Sequence, residues 1–144
     1  MSETSEPSAA AAAGGATERF GDYVLLDEIA RGGMAEVYLA KRRGVEGFEK
    51  TVAIKRILPE LSWNREFVEM FINEAKIAVT LSHANIVQVF DLGQAEGTYF
   101  IAMEYVAGYD LATVLSKARK QDRPLPPELA VYVVSEVAKG LDYA

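Results

Sequence analysis

Apolar residues recur along this chain at two spacings, and the change from one to the other marks its elements. Runs from Tyr23 to Ile29, from Val37 to Ala40 and over Thr51-Val52-Ala53-Ile54-Lys55 predict strands at 23–29, 35–42 and 51–57. Phe67, Met70, Phe71, Ile77, Ala78 and Leu81 then follow a helical period, which predicts a helix over 64–81. Strand patterns return at 87–94 and 98–105, and helices are predicted at 110–120 and 127–144. Pro124-Leu125-Pro126-Pro127-Glu128 opens the last of these in the manner of a proline-led N-terminus. Five strands with one inserted helix predict an α+β unit, an antiparallel sheet packed on that helix, with two helices after it. Residues 1–19 are rich in Ala, Ser and Glu and predict a disordered tail. The expected organisation is this tail, a sheet unit over 20–108, and a helical segment over 109–144.

Two charges interrupt the apolar pattern. Lys55 ends a strand on which alternating side chains put it on one face with Ala53 and Ile57. Glu74 falls near the middle of the apolar arc of the 64–81 helix, so its carboxylate is expected to point at the core. A lone lysine at a strand end usually snorkels to solvent, and a lone helical glutamate is usually exposed. Two inward charges of opposite sign have a simpler explanation, because a buried charge without a partner costs about 3–5 kcal/mol. Lys55 and Glu74 are therefore expected to pair. Upstream, Ile29-Ala30-Arg31-Gly32-Gly33-Met34-Ala35-Glu36-Val37 joins two apolar runs through a Gly-Gly pair of the kind that lets a hairpin turn expose backbone N–H groups.

With hairpin, lysine-ended strand and glutamate-bearing helix in this order, the chain from Phe20 to Ala144 resembles the N-terminal lobe of a protein kinase, followed by the start of the C-terminal lobe. The loop Arg31-Gly32-Gly33-Met34-Ala35-Glu36-Val37 is similar to that of bacterial eukaryotic-like serine/threonine kinases. The resemblance implies ATP as cofactor, a protein substrate, and catalytic roles for Lys55 and Glu74. Val52-Ala53-Ile54-Lys55 matches the family's V-A-I-K strand, which implies that Lys55 meets the α- and β-phosphates and that Glu74 holds it. A dry phosphate site needs a fixed cation, and a flexible lysine must be tethered to stay in place.

The resemblance extends through Ser82-His83-Ala84-Asn85-Ile86-Val87, similar to H-P-N-I-V with Ala84 for the proline. It continues into a hinge, Met103-Glu104-Tyr105-Val106-Ala107-Gly108. It implies Met103 as gatekeeper, backbone groups of Glu104 and Val106 on the adenine edge, and Ile29, Val37 and Ala53 as an apolar roof. Asp110 would contact the ribose; as the residue opening the 110–120 helix it is equally suited to cap it. Against the family's G-x-G-x-x-G, Ala30 and Ala35 replace the first and third glycines and only Gly32 survives, supported by Gly33. Alanine lacks easy access to positive φ, so a stiffer loop is expected. His83, the single histidine, has no nucleophile or acid beside it in sequence, and the family uses this position for packing.

Composition narrows the partners. The 144 residues are 50% hydrophobic with net charge −6, which argues against nucleic acid. The basic cluster Lys117, Arg119, Lys120 sits near a helix C-terminus, where cations are favoured in any case. No apolar run of about 18 residues exists, so no membrane segment is expected and a cytoplasmic location follows. Without cysteine there is no disulfide and no thiolate chemistry. In family terms the chain ends before the catalytic loop, so Mg²⁺ is expected for a full-length enzyme while its ligands are expected to be missing here. The expectation is the ATP-binding portion of a serine/threonine kinase, inactive alone; the alternative is a non-catalytic nucleotide-binding or regulatory module.

Overall fold

The computed structural model describes residues 17–144. An antiparallel sheet is built from β1 (Glu18–Phe20), β2 (Tyr23–Arg31), β3 (Ala35–Arg43), β4 (Glu49–Ile57), β5 (Val89–Ala95) and β6 (Thr98–Met103), in the spatial order β1-β2-β3-β4-β6-β5. Three helices accompany it: α1 (Arg65–Ala78) between β4 and β5, then α2 (Leu111–Lys120) and α3 (Pro127–Tyr143). The five predicted strands are all present, within two residues at most of their bounds. The sixth, β1, starts inside the segment expected to be tail, so Glu18 and Arg19 are strand residues. Residues 1–16 of that expected tail lie outside the described residues. Three residues are too few to show a period, and it is pairing with Tyr23–Leu25 that makes Glu18–Phe20 a strand.

Strand alternation divides the apolar residues between two faces. On one face Phe20, Tyr23, Leu25, Ala40, Val52, Ile54, Phe100 and Ala102 form a buried cluster. The Phe100 ring meets Phe20 and Tyr23 edge to face, with centroids 5.3 and 5.4 Å apart. On the other face Ile57, Val89 and Ile101 pack with Phe71 and Ala75 of α1. β5 and β6 are joined through Glu96 and Gly97, both at positive φ (51° and 77°), a tight turn whose twist matches the flanking strands.

Asn64 starts α1 by accepting the N–H groups of Glu66 and Phe67. The helix stops at Ala78, three residues before its predicted end, because Thr80 and Leu81 bond back to Ile77 and Ala78 in tighter turns. The Thr80 hydroxyl also donates to the Ile77 carbonyl, at 2.7 Å, and so competes for the helix's own acceptor. Asp110 caps α2, accepting from the Thr113 N–H at 2.8 Å and its hydroxyl at 2.7 Å. α3 is tied to the segment between α1 and β5. Asn85 Nδ2 donates to the Glu136 carbonyl at 2.9 Å, the Ser82 N–H donates to the Tyr143 hydroxyl at 3.2 Å, and His83 stacks on Tyr143 at 5.1 Å. Elsewhere on α3, Val131, Val134 and Leu141 are about seven-tenths exposed (69%, 67% and 72%). Among the described residues no helix is long and apolar enough to cross a membrane.

Gly93 lies opposite Phe100 in the sheet, and a Cβ there would come within 2.6 Å of the buried ring. Gly93→Ala is therefore expected to destabilise the sheet by about 1–3 kcal/mol, read as a lowered denaturant midpoint. The bare apolar surface of α3 is expected to drive self-association of the isolated chain, and Val134→Lys with Leu141→Lys should shift its sedimentation towards monomer.

Candidate functional site

The register of the sheet sets out the site in two rows on the face that carries α1. Ala30 stands opposite Val37, Val37 opposite Lys55, and Lys55 opposite Ile101. In the neighbouring row Leu39 faces Ala53 and Ala53 faces Met103. Between the β2–β3 turn and α1 opens a cleft of about 540 Å³, lined by Gly32, Gly33, Met34, Ala35, Val37, Lys55, Ile57, Phe67, Met70, Phe71 and Glu74. Its volume lies in the range of small-molecule sites, and its lining combines apolar walls with one cation and one carboxylate.

Lys55 Nζ donates to Glu74 Oε1 at 2.6 Å, so the expected pair forms. It is not buried as expected. The side chains are 26% and 55% exposed, and the ridge that enters the core is Phe71 and Ala75, next to Glu74 on the helix. The apolar arc of α1 was wider than its buried face: Met70 (45%) and Ile77 (65%) are largely exposed, and with Phe67 Met70 walls the cleft. Glu74 thus stands where core meets cleft, close enough to hold Lys55 and open enough to leave the ammonium available. Lys55 also lies 5.9 Å from the Phe71 ring centroid, at the outer limit of a cation–π contact.

The turn explains its own residues. The Gly32 N–H donates to the Ala35 carbonyl at 2.8 Å, and the Leu58 N–H donates to the Met34 carbonyl at 3.0 Å, which fastens the turn to the end of β4. Neither Gly32 nor Gly33 has positive φ, and Ala30 and Ala35 do not either. The alanines are accommodated without backbone strain. A Cβ on Gly33 would meet nothing within 4 Å and one on Gly32 only the Ala35 carbonyl at 3.6 Å, so the turn's own packing leaves open space at both.

Of the residues singled out in the sequence, the cleft gathers Gly32, Gly33, Met34, Ala35, Val37, Lys55 and Glu74. Ile29, Ala30, Ala53, Met103, Glu104, Val106 and Asp110 lie outside that lining, with Ala30, Ala53 and Met103 on the same sheet face through the register. Arg31 turns the other way, and its Nη1 donates to Glu36 at 2.9 Å. At the hinge the Glu104 N–H donates to the Gln88 carbonyl at 2.9 Å. Gly108, at φ 137°, has a conformation that side chains rarely adopt. Hydrogen bonds from Thr113 hold the Asp110 carboxyl below the usual aspartate range. Sequence reasoning missed Ile57, Phe67, Met70 and Phe71 as cleft walls. The signal was present for the three helical residues, which share the arc of Glu74.

Comparison with known proteins agrees with this fold. Over 125 residues the chain is 49% identical to the tyrosine-protein kinase MasK of Myxococcus xanthus, covering 87% of this chain and 19% of that protein. It is 39% identical to the serine/threonine-protein kinase PknJ of Mycobacterium tuberculosis (87% and 20%) and 35% identical to PrkC of Bacillus subtilis (86% and 18%). The crystal structure of the Mycobacterium tuberculosis PknI kinase domain superposes with TM-score 0.68 at 31% identity, covering 90% of this chain and 50% of that one. The chain thus spans about a fifth of the length of the curated relatives and about half of the solved kinase domain. The family model for protein tyrosine and serine/threonine kinases matches residues 23–144, and the chain, with the fold of a kinase N-terminal lobe, belongs to that family.

Proposed function

We propose that this chain is the ATP-binding portion of a protein kinase that phosphorylates protein hydroxyls, with Lys55 as the phosphate cation and Glu74 as the residue that steadies it. The observation that carries the reading is the 2.6 Å Lys55–Glu74 contact on the wall of a glycine-roofed cleft. An ammonium on a four-carbon stem loses its preorganisation unless something fixes it, and Glu74 does so from a separate element. The β2–β3 turn covers the phosphates, with open space above Gly33 for their approach.

The adenine is assigned to the row that includes Ala53 and Met103, under Ile29 and Val37, with its edge on backbone groups of Glu104 and Val106. Ala53 is small enough to admit a flat ring. Asp110 serves first as the cap of α2; its carboxylate keeps lone pairs beyond the Thr113 bonds, and these are assigned to the ribose hydroxyls. Among the described residues no cluster of three acidic or histidine side chains is placed to hold a metal ion. Phosphoryl transfer, with the Mg²⁺ it uses, is assigned to the whole enzyme. Serine and threonine are the proposed acceptors, in line with the names of PknJ and PrkC; MasK carries the tyrosine name.

The exposure of the pair separates its two contributions. A solvent-exposed ion pair contributes about 0–1 kcal/mol to stability. In the intact enzyme Lys55→Met and Glu74→Gln are expected to lower kcat by orders of magnitude while barely moving the unfolding midpoint. The double variant should be little worse than the worse single one, because residues acting as a unit are not additive. Fully additive losses would show that the two act independently. The 144-residue chain alone is expected to bind ATP weakly by calorimetry and to transfer no phosphate to a protein acceptor. Transfer by this chain, abolished by Lys55→Met, would overturn the reading.

A further inference from the structure

Glu36 is the one buried charged residue among the described residues, with its side chain 3% exposed, and the nucleotide reading gives it no role. It sits directly after the cleft turn, on the opposite sheet face from Lys55. Two guanidinium groups close on it: Arg31 Nη1 at 2.9 Å and Arg56 Nε at 2.5 Å. Arg56 is itself held by Glu18 of β1, at 2.9 Å, and stacks on Tyr38 with its guanidinium carbon 4.7 Å from the ring centroid. Burial works against the charge on Arg56, but hydrogen bonds to Glu18 and Glu36 outweigh it and hold the guanidinium above its ordinary range.

We propose that Glu36 is the positioning residue of the nucleotide turn, clamped by Arg31 and Arg56 so that the turn keeps a fixed height over Lys55. Arg31 and Glu36 are register partners at the base of the turn, so their ion pair closes the hairpin immediately behind Gly32–Ala35. Arg56 follows Lys55 in β4. One strand therefore carries the phosphate cation on one face and the anchor of the turn on the other. A ligand that needs both the turn and Lys55 depends on the distance between them, and the Glu36–Arg56 bond braces the β3–β4 ladder that spans it. On the cleft side, backbone bonds from Gly32 to Ala35 and from Leu58 to Met34 steady the turn. The inference rests on the proposed ATP site for its functional consequence, while the clamp itself can be read without nucleotide.

The test uses the 144-residue chain with Glu36→Gln, and with Arg31→Gln as a milder variant that leaves Glu36 paired to Arg56. Amide hydrogen exchange without ligand is expected to speed up at Gly32 and Leu58 in both variants and to stay unchanged at Ile101 of β6. Affinity for ATP is expected to fall about tenfold, as for loss of a charge-assisted contact, while adenosine, which lacks phosphates, changes less than about twofold. The double variant should lose no more than Glu36→Gln alone. Unchanged exchange at Gly32 and Leu58 would overturn the clamp, and equal losses for ATP and adenosine would overturn its link to phosphate and leave Glu36 a fold-stabilising residue. If the unmodified chain binds neither ligand, it is the ATP reading that fails, and the exchange result still decides the clamp.

Discussion

The pleat of β4 is the constraint from which the rest of the site follows. Successive side chains on a strand point to opposite faces, so Ala53, Lys55 and Ile57 cannot share a face with Val52, Ile54 and Arg56. Val52 and Ile54 are locked in the core formed with Phe20, Tyr23 and Phe100, and Ile57 in the core formed with α1. A slip of one residue would bury Lys55 among aromatic rings and turn Ile54 to the cleft. The two hydrophobic cores thereby fix which charge faces the cleft and which is sent behind the sheet.

The two ion-pair systems attached to this strand differ in physical character. Lys55–Glu74 is open to solvent, so water screens it and it adds little to stability; its value lies in holding one ammonium in place. Glu36 itself is dry and Arg56 nearly so, while Arg31 closes on them from a half-exposed position; a buried carboxylate stripped of its partners would cost about 3–5 kcal/mol, which makes the Glu36–Arg56 pair stiff. An exposed pair that can exchange partners faces the cleft, and a buried one that cannot lies behind the turn.

The part beyond the sheet is held differently. α3 meets the 82–86 segment through a few polar and stacking contacts, Asn85 with Glu136, Ser82 and His83 with Tyr143, and through Gly140, where a Cβ would stand 3.4 Å from the Asn85 carbonyl. His83 thus has a packing role, its Nδ1 accepting the Asn85 N–H. The apolar side of α3 is left uncovered, unlike that of α1, whose Phe71 and Ala75 are buried by the sheet.

Most of the architecture was legible from periodicity, because long amphipathic segments carry their secondary structure in the spacing of apolar residues: β2 to β6 and all three helices emerged in this way. The pairing of Lys55 with Glu74 was legible too, since two opposite charges in apolar patterns each require a partner. β1 was not legible, because three residues have no period and only the edge of β2 makes them a strand. Nor was the exposure of Glu74: a helical arc reports which residues are apolar, and the sheet decides how much of that arc it covers. Glu36 and Arg56 are 20 residues apart in sequence and look there like ordinary surface charges on two neighbouring strands. The register of β2, β3 and β4 sets Arg31, Glu36 and Arg56 side by side, and the arrival of Glu18 from β1 with the cover over that face makes them a cluster around one buried carboxylate. Local spacing thus determined the elements and one contact between them, while burial, which depends on what every other element covers, belonged to the tertiary structure.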